Sequence, residues 1–188
     1  MTSECINAYD RQKDEPSQQS VHVMLNGEES ELKFITDAEC EGDEGPADLY
    51  LVMYSCVDKA SFQKAEELLN KLQHGLLTRN KPIILVANKV DLARSRAVSS
   101  QDGKCLACTY GAKFIEVSVG INHNVDELLV GILTQIRLKE SYKGKETTRH
   151  WYNNHGMLRA SLKARQMITW IFGKEDSKFK NCENLHVI

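Results

Sequence analysis

The chain lacks several features that would place it in a membrane or outside the cell. No apolar run approaches the roughly 20 residues that a membrane-spanning helix needs, and the first residues lack the apolar core of a secretory signal. A prenylation signal would put cysteine fourth from the end, where this sequence has Leu185. These absences predict an intracellular protein without a lipid anchor at its C-terminus.

Metal-ligand patterns are also scarce. The six cysteines are expected to be thiols in an intracellular protein. Cys105 and Cys108 have the spacing of half a zinc site, but no second pair of ligands at matching spacing is near them. We interpret them as ordinary helical thiols and predict no metal site of this kind.

Charge is distributed unevenly along the 188 residues, 41% of which are hydrophobic. Residues 137–188 hold 11 Lys and Arg against 5 Asp and Glu, whereas residues 1–136 are acidic. This length predicts one domain plus a tail. The basic tail is expected to bind an anionic membrane surface, and the alternative is a solvated, disordered extension. We expect no nucleic-acid partner.

The most informative pattern is the run from Ile83 to Asp91, Ile-Ile-Leu-Val-Ala-Asn-Lys-Val-Asp. Its apolar part predicts a central parallel strand, and ligands bind beyond the carboxyl ends of such strands. Asp91 could accept two hydrogen bonds from guanine, and leaving this carboxylate unpaired would cost roughly 1–3 kcal/mol. Asn88 is expected to bond the base edge and tie neighbouring loops, while the stem of Lys89 lies along the base. The spacing predicts a guanine-binding pocket.

A second strand, Lys113 to Val119, ends in Ser118-Val119. Guanine-nucleotide proteins place a Ser-Ala pair at this point, so that a backbone N–H meets the guanine carbonyl oxygen. The alternative is an ordinary buried strand with a serine at its turn. Together with the first motif, this strand strengthens the guanine interpretation.

The surrounding pattern predicts an α/β domain from about residue 20 to 140, preceded by a flexible segment, 1–19, and followed by the tail, 141–188. Asn26-Gly27 predicts a hairpin at the sheet edge, and Asn124 is a candidate helix cap. Alternating strands and helices imply a mostly parallel sheet covered on both faces. The predicted strands are 21–25, 32–36, 49–55, the apolar run from Ile83 that ends at Asn-Lys-x-Asp, and 113–119. The predicted helices are 60–73, 99–110 and 125–138.

Several motifs resemble the Ras-like small GTPases, and in particular their Rad, Gem and Kir (RGK) subfamily. They are Asn-Lys-Val-Asp, Phe-Ile-Glu-x-Ser, the run 122–128 and the ending Asn-Cys-Glu-Asn-Leu-His-Val-Ile at 181–188. The resemblance implies a Ras-like G domain that binds GTP or GDP with Mg²⁺. It also implies regulation of voltage-gated calcium channels through the channel β subunit, with calmodulin and 14-3-3 proteins as further partners.

The phosphate side of such a site is missing from the sequence. No Gly-x-x-x-x-Gly-Lys-Ser/Thr occurs, and we expect the chain to start too late to contain it. Asp37 could match the metal-side aspartate, but no glycine follows it at the family's spacing. Nucleotide binding is therefore expected to be weak and hydrolysis absent. The alternative is a slow GTPase whose phosphate loop is lost only in this isoform or gene model.

The tail carries a predicted basic amphipathic helix at 157–172. It is typical of segments that bind the Met-lined groove of calmodulin or lie on the inner face of the plasma membrane, and the alternative is a helix that packs back on the domain. Its candidate binding residues are Leu158, Arg159, Leu162, Lys163, Arg165, Met167 and Trp170.

Overall fold

The computed structural model describes residues 19–35, 47–75, 78, 81–143 and 182–187. The chain divides into two units, Met1–Gly45 and Pro46–Ile188. The described part of the first unit is a hairpin, and the second contains the sheet and helices that the α/β pattern predicts.

The hairpin of the first unit consists of β1, Gln19–Leu25, and β2, Glu28–Phe34. Asn26 and Gly27 both have positive φ, 55° and 81°, which the tight turn of a two-residue hairpin requires. The predicted turn is confirmed. β2 begins four residues earlier than predicted, because the turn fixes the register even though the strand opens on exposed glutamates.

The described part of the second unit contains three parallel strands in the order β3-β4-β5. They are β3, Tyr50–Ser55, β4, Ile83–Asn88, and β5, Lys113–Glu116. The described strands of the hairpin form a two-stranded sheet of their own in the first unit. The register pairs Ser55 with Asn88 and Ala87 with Glu116, which brings the carboxyl ends of all three strands to one edge.

Three helices follow the predicted periodicity: α1, Lys59–His74, α2, Ser100–Tyr110, and α3, Val125–Lys143. Asp58 accepts a hydrogen bond from the Ala60 N–H, and Ser99 forms a reciprocal capping box with Asp102. These caps satisfy backbone donors that would otherwise be unpaired at the start of each helix. α3 continues five residues beyond its predicted end at Leu138.

The core of the second unit lies where α1 and α2 cover the sheet. The Tyr54 and Phe62 rings meet edge to face, with centroids 4.9 Å apart. A Cβ on Gly103 would lie 2.6 Å from the Phe114 ring, so only glycine allows α2 to approach so closely. The buried members of this cluster are Val52, Tyr54, Phe62, Ala65, Leu69, Ile83, Leu85, Ala87, Val98, Leu106, Ala107, Ala112 and Phe114.

Residues 182–187, which we call the C-terminal segment, pack against the second unit. Cys182 and Leu185 are buried, and Leu185 fills the space over Gly131 of α3. This part of the predicted tail therefore belongs to the core of the larger unit. The described helices include none with the length and apolarity that crossing a bilayer would demand.

Candidate functional site

Strand β4 carries the candidate site to the edge of the sheet. Its first five residues are buried, and Asn88 is the half-buried sixth. Burial on both faces fixes such a strand in place, so the residues at its tip have little conformational freedom. The residues that follow, Lys89 and Asp91, are exposed. This edge therefore presents polar side chains from a rigid base.

Asn88 links two loops through its side-chain oxygen. The Asn88 Oδ1 atom accepts hydrogen bonds from the backbone N–H of Lys89, at 2.7 Å, and of Val119, at 3.4 Å. The second bond joins the loop after β4 to the loop after β5. The sequence predicted this tie between neighbouring loops for Asn88.

Lys89 has a left-handed backbone, with φ of 64°. This conformation costs a residue with a side chain roughly 1–3 kcal/mol, and it persists only where neighbours hold it. The Cys56 thiol donates to the Lys89 carbonyl at 3.1 Å, and the Cys56 N–H donates to the Asn88 carbonyl at 2.9 Å. Strand β3 thus fixes the backbone of the loop that follows β4.

Asp91 is held by a hydroxyl from the neighbouring loop. The buried Ser118 hydroxyl donates to Asp91 Oδ1 at 2.5 Å. Among the described residues, the other carboxylate oxygen has no hydrogen-bond partner. An oriented, exposed carboxylate with remaining lone pairs is suited to accept paired N–H donors from a flat ring.

The loop after β5 is closed on itself. Ser118 and His123 exchange backbone hydrogen bonds of 3.1 and 2.9 Å, so the predicted strand ends at Glu116 and not at Val119. The Asn124 side chain donates to the Glu116 carbonyl at 2.9 Å, and Asn124 has a φ of 56°. The contact recorded for this side chain thus differs from the expected helix cap.

An ion pair braces the same edge from beside the site. Arg96 donates to Glu116 Oε1 at 2.7 Å, and both side chains are about one-quarter exposed. The hydrogen bond that Arg96 donates to the Glu116 carboxylate holds the pKa of Arg96 above its ordinary value. Val98 and Ala97 donate to the Cys56 carbonyl, which completes the connection back to β3.

The predicted contacts with guanine can be compared with these groups. Asp91 would accept the ring N–H and the exocyclic amine, and the exposed Lys89 stem would cover one face. The Val119 backbone N–H donates to Asn88 in the structure, at 3.4 Å, and would have to be shared with the guanine carbonyl oxygen. Adenine offers no matching pair of donors to Asp91, so the arrangement would discriminate between the two purines.

The structure brings Asn88, Asp91, Ser118 and Val119 together and leaves Lys89 beside them. Their binding of guanine stays a prediction. Asp37 and the tail residues Leu158, Arg159, Leu162, Lys163, Arg165, Met167 and Trp170 lie outside the described residues. The predicted helix at 157–172 is therefore untested.

Sequence reasoning missed Cys56, Arg96 and Glu116. Glu116 belongs to the Phe-Ile-Glu-x-Ser motif, but nothing in that motif indicates its ion pair with Arg96. No motif marks Cys56 or Arg96, but the parallel order of the strands contains the signal for Cys56. A residue directly after β3 must lie beside the residue directly after β4, because neighbouring parallel strands end at the same edge.

The parallel sheet with its helices, and the polar groups at its strand tips, are the architecture of a Ras-like G domain. The family model "Ras family" matches residues 42–138. The chain belongs to the Ras family, and its relatives are members of the RGK subfamily.

Three relatives illustrate the likeness. The chain is 41% identical over 149 residues to GTP-binding protein GEM of Mus musculus, covering 75% of this chain and 50% of that protein. It is 35% identical over 181 residues to GTP-binding protein RAD of Homo sapiens, covering 88% and 58%. It is 37% identical over 142 residues to GTP-binding protein REM 2 of Rattus norvegicus, covering 71% and 41%. The chain spans about half the length of these relatives.

Proposed function

We propose that this chain is an RGK-type G protein that selects guanine and acts by binding a partner, with weak nucleotide affinity and without turnover of GTP. The observation that carries the proposal is the Ser118–Asp91 hydrogen bond, which orients a carboxylate at the tip of a buried strand. The partner we propose is the β subunit of voltage-gated calcium channels, as the family resemblance implies.

The base side of the site supports guanine selectivity. Asn88, Asp91 and Val119 are tied across two loops by hydrogen bonds that need no ligand. Pre-organised groups lose little entropy on binding, so the site would still discriminate between bases in a nucleotide that binds weakly. The relatives' names describe them as GTP-binding proteins, which fits this selectivity.

The phosphate side supports weak affinity for this 188-residue chain. Its sequence contains no Gly-x-x-x-x-Gly-Lys-Ser/Thr, and Mg²⁺ and the phosphates would lack the contacts that this loop supplies. Charge-assisted hydrogen bonds contribute roughly 1.5–3 kcal/mol each, so losing three would cost about 5 kcal/mol, which is over a thousandfold in affinity.

A calorimetric titration with GDP tests the nucleotide part. We expect a dissociation constant well above the micromolar range, a ranking of GDP above ADP, and no phosphate release from GTP. Submicromolar GDP binding or measurable hydrolysis would favour the second function, a slow GTPase whose phosphate loop is absent only from this isoform or gene model.

A binding assay with the purified channel β subunit tests the partner. We expect saturable binding that does not require nucleotide, and a smaller calcium current when the chain is expressed with the channel. Equal currents with and without the chain would reject the regulatory role, whatever the nucleotide titration gives.

The basic tail supports a location at the inner face of the plasma membrane. Neutralising Arg159, Lys163 and Arg165 removes on the order of 3 kcal/mol of attraction to anionic lipid. We expect a fluorescent fusion to move from the membrane rim into the cytosol after this triple change. An unchanged rim, or its loss after mutation of Cys182 alone, would contradict the electrostatic account.

The same tail is proposed to bind calmodulin, and a phosphoserine near it is proposed to bind 14-3-3 proteins. A peptide covering residues 157–172 should bind calmodulin only with Ca²⁺ present, since the apolar groove opens when Ca²⁺ binds. Replacing Leu158, Leu162 and Met167 with serine should abolish this binding, while replacing exposed positions elsewhere should not.

A further inference from the structure

The C-terminal segment belongs to the run 181–188 that resembles the RGK subfamily, and the proposed function leaves it unused. Two of its three apolar residues are almost fully covered: Cys182 is 6% exposed and Leu185 is 3% exposed. A Cβ on Gly131 would collide with the Leu185 side chain and would lie 3.0 Å from the Leu185 Cβ. Gly131 therefore leaves the space that Leu185 occupies.

Polar contacts fix the same segment to two helices. The buried Gln135 amide on α3 donates to the carbonyls of Leu185 and Val187, the latter at 2.9 Å. Lys104 on α2 pairs with Glu183 at 2.6 Å. A buried amide that pairs with two backbone carbonyls makes the docked position specific.

Docking places two sulfur atoms side by side. The thiols of Cys182 and of Cys108 on α2 are hydrogen-bonded to each other, and neither is in a disulfide. The hydrogen bond from Cys108 lowers the pKa of Cys182, and the cations of Lys113 and Lys104 act in the same direction. Cys182 is therefore the more readily ionised thiol of the pair, and thiolates are the reactive form.

We propose that Cys108 and Cys182 form a redox modification site, at which a peroxide closes a disulfide that locks the C-terminal segment onto α2. The docking geometry carries this inference, because the Lys104–Glu183 ion pair holds the neighbour of Cys182 one helical turn from Cys108 on α2. Glu183 and Asn184 are exposed beside Cys182, so the pair lies just under the surface.

The reaction needs hydrogen peroxide as the oxidant and balances in two steps. The Cys182 thiolate attacks one peroxide oxygen, the O–O bond breaks, and Cys182 becomes a sulfenic acid while the leaving hydroxide takes a proton and becomes water. The Cys108 sulfur then attacks the sulfenic sulfur and loses its proton. The S–S bond forms as a second water leaves, so two thiols are oxidised and the peroxide is reduced to water.

The test uses the full chain with Cys5 and Cys40 changed to serine, so that four cysteines remain. After treatment with a few equivalents of hydrogen peroxide, peptide mapping without reduction should give one main cross-link, Cys108 to Cys182, with a mass lower by two hydrogen atoms. Cys105→Ser is the matched control on α2, because Cys105 lies one turn from Cys108 and is contacted by Gln101. It should leave the yield unchanged.

Variants separate docking from chemistry. Gly131→Val displaces Leu185 and should slow cross-linking at least about tenfold, because it lowers the effective concentration of one thiol near the other. In Cys108→Ser, Cys182 should instead be trapped as a sulfenic acid by dimedone. In the parent, the cross-link should raise the midpoint of thermal unfolding by about 5–10 °C, and reductant should reverse the change.

Three results would overturn the proposal. They are a main cross-link between other cysteines or between two chains, an equal rate in Gly131→Val and its parent, and labelling of Cys105 ahead of Cys182 in Cys108→Ser. The mapping of the parent needs no variant that alters the core, so the test does not depend on how well a mutant folds.

Discussion

Two places on the larger unit are built in opposite ways. At the strand tips, exposed Lys89 and Asp91 project from a buried strand, and Asp91 is held by a hydrogen bond from the neighbouring loop. On α3, the position opposite Gly131 is filled by Leu185 of the same chain. The first place is the one proposed to bind guanine, and the second is occupied by a side chain of the protein itself.

The difference predicts different responses to mutation. Changing an exposed polar side chain at the strand tips should alter affinity with little effect on the fold. Changing a buried side chain of the C-terminal segment should alter stability and leave base selectivity untouched.

The largest effect is expected for Asp91→Asn. The amide replaces an acceptor by a group that can donate to a carbonyl, so preference should move from GDP toward XDP by on the order of a hundredfold, about 2.7 kcal/mol. Ligand-detected NMR competition suits such weak binding. Asp126→Asn, an exposed aspartate at the start of α3, is the control. An unchanged ranking of GDP and XDP would show that the pocket is wrong.

Leu185→Ala should destabilise the fold by about 2 kcal/mol, at the low end for a buried leucine, because the segment can undock instead of leaving a cavity. Thermal unfolding measures the cost, and faster amide exchange of residues 182–187 would identify undocking as the cause. Val187→Ala, at an exposed position of the same segment, should change stability by under about 0.5 kcal/mol. If Leu185→Ala lowered the free energy of unfolding by more than about 4 kcal/mol, the segment would not undock independently of the rest of the fold.

Ser118→Ala removes the hydroxyl that orients Asp91. We expect the affinity for guanine nucleotides to fall about tenfold, the value of one lost hydrogen bond, with xanthine still disfavoured. Ser95→Ala changes an exposed serine in the 3₁₀ turn after β4 and should have no effect. If Ser118→Ala bound GDP as tightly as the parent, Asp91 would not need this partner.

The smallest effect is expected for the Lys104–Glu183 pair. Both side chains are partly exposed, so a double-mutant cycle with Lys104→Met and Glu183→Gln should give a coupling of about 0.2–1 kcal/mol. The hydrogen bond to Glu183 raises the pKa of Lys104. The contribution of the Lys104–Glu183 pair to the free energy of unfolding is therefore fully present at neutral pH. It disappears only as the pH rises through the raised pKa of Lys104. A coupling that was unchanged in high salt would indicate a contact other than an ion pair.

Sequence predicted the strand-tip site better than the C-terminal segment, for a physical reason. β4 begins with five consecutive apolar residues, which predict a buried strand. Because ligands bind beyond the carboxyl ends of parallel strands, the position of this strand also predicts the position of the site. The packing of Leu185 on Gly131 depends on two positions far apart in sequence, and no local periodicity reports it. From sequence alone, residues 182–187 are therefore predicted to be the end of a basic tail.

The strand boundaries show the same limit on a smaller scale. Ser118 follows an apolar run and was assigned to β5, but its pairing with His123 closes a loop instead. β2 begins with Glu28 and Glu29, which lack the apolar alternation of a strand, so its start is predicted too late. Asn26-Gly27 predicts the turn correctly. Composition indicates which residues favour a strand, whereas the pairing partner decides where the strand ends.

The docked C-terminal segment also occupies a surface of α3 that would otherwise be open. Leu185 covers Gly131, and the Gln135 amide is committed to the carbonyls of Leu185 and Val187. A partner that required this surface would have to release residues 182–187 first, and by thermodynamic linkage docking would weaken that partner's binding by the same factor.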